Sequence, residues 1–112
     1  MRLINKTKNF ILAENVFIAD TFLKRMKGLI GRKVFPSGKA IILDPCNCVH
    51  TFFMHFPIDV IFVDKNYKVV KVLNKLSPDK ITSLSWHSSK VIELPVGGSS
   101  LTAVQDQLQI LY

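Results

Sequence analysis

The sequence predicts a mainly β fold, a small single-domain sandwich or barrel with one short α-helix near residues 21–30. Three observations predict it. Short runs of Val, Ile, Leu and Phe recur, separated by turns that carry Pro, Gly, Asn or Asp. One segment shifts from two-residue to helical spacing. The chain has 112 residues, 48% of them apolar and 21% charged. That is enough for one core and too few for two, so residues 1–112 are expected to form one β-rich domain.

The elements follow in order. RLIN and FILAENVFIA read as two strands around the turn KTKN. In DTFLKRMKGLIGR the apolar positions Phe22, Met26, Leu29 and Ile30 recur at helical spacing. Asp20 or Thr21 can accept the free N–H groups of a first turn, and Gly31 can end the helix. PSG is a turn and KAIILD a strand. CNCVHTFFM is expected to continue extended after Pro45. Pro57 then bends the chain or marks a sheet edge. DVIFVD and KVVKVLNKL are strands around the turn DKNY. SPDKITSLSWHSS is irregular; Trp86 and His87 within it can form a binding rim, but Trp86 is expected to pack under its own loop, the commoner case. KVIELPV and QLQILY are the last strands, with the loop GGSS after the first of them. Long parallel crossovers are not expected, which argues against a doubly wound sheet.

Fifteen Lys and Arg against eight Asp and Glu give a net charge of +7. Such an excess can attract nucleic acid or anionic surfaces weakly and without sequence preference. The only local concentration is Lys24, Arg25, Lys27, Arg32 and Lys33, so the charges read first as a solvated basic face. No apolar run approaches the ~20 residues that span a bilayer. No export leader is visible either, and a cytoplasmic location is the expectation. Cys46 and Cys48 would there remain thiols.

The densest chemistry lies in PCNCVHTFFMHFPIDVIFVD, residues 45–64. On an extended strand Cys46, Cys48, His50, Phe52 and Met54 share one face. Thiolates and imidazole are suited to zinc or copper, so Cys46, Cys48 and His50 form one possible metal set. Neighbouring ligands ~6.5 Å apart along a strand, however, do not converge on a tetrahedral ion without a bend. The leading expectation is therefore no metal and no cofactor. A hydrolytic or metal-assisted enzyme using Cys46, His50 and Asp59 is an alternative; Cys46 and His50 would lie ~13 Å apart on a strand. Asp59 opens a very apolar strand and needs a partner if buried: His50, Thr51, a backbone N–H at the Pro57 bend, or Arg25. The leading reading is a non-catalytic binding module with a polar pocket around residues 46–59. Its pocket candidates are Arg25, His50, Thr51, Met54 and Asp59, and its partner a small ligand or a protein. A basic adaptor for nucleic acid or anionic surfaces is the other alternative.

The same run resembles the signature of the domain of unknown function 192 family. The matching positions are Pro45, Cys46, His50, Thr51, Phe52, Met54, Pro57, Ile58, Asp59, Val60, Phe62 and Asp64. Arg25, Gly28, Leu29 and Arg32 are similar to its helix motif, and Val91-Ile92-Glu93-Leu94-Pro95 with Gly97 to its late strand. The resemblance spans roughly residues 20 to 110 and implies a compact, mainly β sandwich or barrel with one helix and no established activity. Many relatives look exported, with an apolar leader; none is expected here, so their localisation is not carried over. Two positions depart from the pattern. Cys48 stands in the place of a Ser, and Gln105-Asp106 in the place of Gly-Asp.

Overall fold

The computed structural model describes residues 1–21, 24–25 and 32–112. These described residues contain eight strands: β1 (Arg2–Asn5), β2 (Phe10–Ala13), β3 (Asn15–Ala19), β4 (Lys39–Leu43), β5 (Ile58–Val63), β6 (Val69–Leu76), β7 (Lys90–Pro95) and β8 (Leu108–Leu111). They form a three-stranded sheet in the order β2-β1-β8 and a five-stranded sheet in the order β3-β4-β7-β5-β6. The fold is mainly β and open, closer to a sandwich than to a closed barrel.

The two sheets enclose one core. Leu3, Leu12, Ala13, Leu108 and Ile110 from the smaller sheet meet Ala40, Ile42, Ile61, Val63, Val69, Ile92 and Leu94 from the larger one. A second core lies on the other face of the large sheet, where Ile41, Leu43, Val60, Phe62 and Val91 pack with Val49 and Met54. β5 is therefore covered on both faces, and all six of its residues are buried. That explains why IDVIFV shows no alternation: a strand buried on both sides has no solvent face to leave polar.

Three expectations change. The run FILAENVFIA is two strands that enter different sheets, divided at Glu14. The amides of Glu14 and Asn15 both donate to the Gly38 carbonyl, which fixes the bend. β3 and β4 pair in parallel, which the sequence reading did not foresee. Residues 46–54 are not a regular strand; a single antiparallel bridge pairs His50 with Ile81. The expected helix over 21–30 falls mostly outside the described residues. At its start Lys24 and Arg25 are helical, with the Thr21 hydroxyl accepting from Lys24 N–H at 3.2 Å and the Thr21 carbonyl from Arg25 N–H at 2.9 Å. Among the described residues no helix is long and apolar enough to cross a membrane.

Candidate binding surface around residues 46–59

Residues 47–51 run antiparallel to residues 80–85 as a loose ribbon over the second core. Thr51 N–H donates to the Lys80 carbonyl (2.8 Å), Thr82 N–H to the Val49 carbonyl (2.9 Å) and Ser85 N–H to the Asn47 carbonyl (2.9 Å). The Thr82 hydroxyl accepts from Val49 N–H at 2.9 Å. Thr51 is fully buried and ties the ribbon down: its hydroxyl donates to the Ser77 carbonyl at 2.6 Å and accepts from Lys80 N–H at 2.9 Å. Val49 and Met54 point inward and join the core.

The outward side differs. His50 is exposed and stacks on Phe52, ring centroids 5.2 Å apart and 24° between planes. Ile81, opposite His50, is 69% exposed. Phe53 is 76% exposed and has φ 65°, a left-handed conformation costly for a bulky residue. Trp86 is 81% exposed, so it does not pack under its own loop as the sequence reading expected. Phe53 and Ile81 were not singled out from sequence. Nothing in residue type separates an outward aromatic from a core one when the alternation pattern is lost.

Asp59 is buried and fully occupied. Its Oδ1 accepts Lys75 N–H at 2.9 Å. Its Oδ2 accepts Gly97 N–H at 3.1 Å, Ser99 N–H at 3.0 Å and the Ser99 hydroxyl at 2.7 Å. Neither Arg25 nor His50 is among these partners, and the donors come from the end of β6 and the loop after β7 rather than from the Pro57 bend. Gly97 has φ 93°, the left-handed region in which glycine carries no side-chain penalty. Ser99 Oγ also lies 2.6 Å from the Asn74 side-chain oxygen. A hydroxyl has one proton, so this second contact requires the Asn74 amide to be turned with its NH₂ toward Ser99. Asp59 thereby clamps β5, the end of β6 and the GGSS loop together. Arg25 reaches the Asp44 carbonyl at 3.5 Å, ahead of the ribbon.

The other proposed groupings are not assembled. Burial pushes the Cys46 thiol above its ordinary value, and the thiol donates to the Cys48 carbonyl at 3.0 Å. A raised thiol holds less of the nucleophilic thiolate. None of Cys46, His50 and Asp59 hydrogen-bonds another of the three. Among the described residues no three His, Cys, Asp or Glu side chains gather where they could hold a metal, so Cys46, Cys48 and His50 do not converge.

One buried acid escaped notice. Glu93, 4% exposed, stands in register with Ile41 on β4 and Val60 on β5 and therefore faces the second core. Burial raises its carboxyl from the ordinary 4.5 to about 7. The signal was available, since a lone acid in VIELPV raises the same question as the one in IDVIFV.

The geometry defines a class: an open two-sheet β protein with a pinned loop ribbon over one sheet face. The chain belongs to the domain of unknown function 192 family, whose model, described as Uncharacterized ACR, matches residues 3–110. A UPF0127 protein of Pyrococcus horikoshii is 36% identical over 100 residues, covering 85% of this chain and 84% of that one. A UPF0127 protein of Thermococcus sibiricus is 37% identical over 99 residues; there the match covers 85% of this chain and only 64% of the relative. Two solved structures share the fold. A protein of unknown function from Novosphingobium aromaticivorans has a TM-score of 0.75 at 18% identity, covering 85% of this chain and 74% of that one. A protein from Sinorhizobium meliloti, described as a candidate transcription regulator, has a TM-score of 0.79 at 19% identity, covering 96% and 89%.

Proposed function

We propose that the chain is a single-domain, non-catalytic binding module whose contact surface is the outer side of the ribbon at residues 46–59 and 81–86. The observation that carries this reading is Phe53. An aromatic side chain both exposed and held at positive φ gains nothing for the fold, and strain of this kind tends to be kept where it serves a contact. Phe52, Ile81 and Trp86 add exposed apolar surface of the type enriched at interfaces. In this reading His50 joins the contact, whereas Thr51 and Met54 hold the ribbon in place, Asp59 clamps β5 to β6 and the GGSS loop, and Arg25 steadies the approach to the ribbon. The partner is a protein segment with apolar side chains, met in the cytosol, where both cysteines stay reduced. The enzyme reading has less support, because Cys46, His50 and Asp59 each have other neighbours. The nucleic-acid reading rests on net charge, and the regulator description belongs to the Sinorhizobium meliloti protein.

Phe53→Gly provides the test. Glycine relieves the left-handed strain and should raise stability by about 1 kcal/mol while removing the ring. Peptides selected from a random displayed library against the wild-type protein should bind Phe53→Gly and Trp86→Ser at least tenfold more weakly. Peptides that bind both variants as tightly as wild type would show that the ribbon is not the contact surface.

A further inference from the structure

A second surface feature lies apart from the ribbon's exposed side chains. The segment Val34–Phe35–Pro36 forms a ridge between two depressions. One, of about 690 Å³, has walls from this ridge and from Phe56, Pro57, Pro95 and Val96. Its single charged lining residue is Lys33. Phe35 and Phe56 meet there with ring centroids 6.3 Å apart, and both pack on the second core. The rim is open: Val34 is 71% and Val96 49% exposed. The other depression, of about 540 Å³, shares the ridge and runs along β3, with Arg32 and Lys39 as its charged residues. Among the described residues three cationic side chains and no carboxylate side chain therefore border the two.

From this arrangement we propose a binding site for a long-chain carboxylate. The apolar trough, whose volume is in the range of small-ligand sites, takes the hydrocarbon chain. Lys33 takes the carboxylate, and Arg32 and Lys39 across the ridge reinforce the preference for an anion. A cationic amphiphile of the same length would meet the same walls with the wrong head group. Phe56 and Pro57 lie within residues 46–59, but His50, Phe52, Phe53, Ile81 and Trp86 do not line the trough, so variants of Phe53 and Trp86 test the ribbon without touching this site.

Calorimetric titration with decanoate below its micelle concentration tests the site, with decyltrimethylammonium as the cation of equal chain length. Decanoate should bind saturably, one per chain, at least tenfold more tightly than the cation. Lys33→Glu should weaken decanoate by about threefold to tenfold, the scale of an exposed ion pair lost and reversed. Val96→Asp should abolish it. Phe53→Gly should leave it unchanged. Thermal melts establish that each variant is folded, and Lys33→Glu, on the surface, decides the outcome if Val96→Asp is not. Non-saturating binding, equal affinity for the cation, or indifference to Lys33→Glu overturns the proposal. So does binding to anionic phospholipid vesicles with none to free decanoate, which would make the trough a membrane contact.

Discussion

Asp59 and Glu93 stand on adjacent strands, yet their burial has opposite consequences. Asp59 is matched by three N–H groups and a hydroxyl. Removing it orphans buried donors at about 1–3 kcal/mol each, so Asp59→Ala should cost more than about 3 kcal/mol and lower Tm sharply. Asp64, in the turn after β5, accepts Asn66 N–H at 2.8 Å and Lys68 N–H at 3.0 Å. Its alanine variant should cost about 1 kcal/mol and melt between wild type and Asp59→Ala. Glu93 works against the fold. Between 4.5 and about 7 it keeps its proton in the native state while the unfolded chain releases it. Folding therefore loses stability as pH rises through that window, by about 3 kcal/mol in all, and the loss persists above it. Glu93→Gln should remove this slope. Urea midpoints at the two ends of the window should differ clearly for wild type and much less for the variant; equal slopes would sink the idea.

At the scale of elements, the regular strands were legible because each carries its pattern locally. KAIILD, KVVKVLNKL, KVIELPV and QLQILY each contain an observed strand, and DVIFVD holds all of β5 but Ile58. The 46–54 segment was misread for a physical reason. β-rich composition marks a half-buried surface, and this segment is half-buried as a ribbon without a sheet ladder. Its buried Thr51 and outward His50 were both noted from sequence, but which of them faced the core depended on partners thirty residues away. The parallel β3–β4 pair was illegible for a similar cause, since no local pattern reports strand direction. The late turn keeps its shape although Gln105 departs from the family pattern. Gln105, in a place where a glycine belongs to the pattern, has φ 80°. It leads into Asp106, whose Oδ2 accepts Lys8 Nζ at 2.8 Å, Asn5 Nδ2 at 2.9 Å and Ala103 N–H at 2.9 Å. These contacts, Lys8 foremost, hold the Asp106 carboxyl down to about 2. The turn is thus kept despite the strain, and Gln105→Gly should stabilise it by about 1 kcal/mol. A drop in Tm for that variant would mean the Gln side chain contributes more than its backbone costs.

Over the whole molecule, the charge of +7 is spread across both sheets and their loops. It should produce weak, sequence-independent binding to DNA or RNA that fades by about tenfold or more between roughly 50 and 200 mM salt. Fluorescence anisotropy with two unrelated duplexes checks this; tight, selective binding at the higher salt would favour the adaptor reading instead. The open sheet has a further consequence at its borders. β6 closes one side and β3 the other, each bonded to a single neighbour. Exposed borders of this kind invite another chain to add itself, the first step of aggregation. Here the β5–β6 register slips twice, and Lys75 sits at φ 53°. The start of β6 is already taken, because Val69 N–H donates to the Asp106 carbonyl and Gln105 N–H to the Val69 carbonyl. On β3, Val16 N–H is taken by the Met1 carbonyl, and Lys24 lies 5.8 Å over the Phe17 ring. Kinked, charged and partly occupied borders make poor templates, and so a sheet this apolar can stay dispersed at cellular concentration.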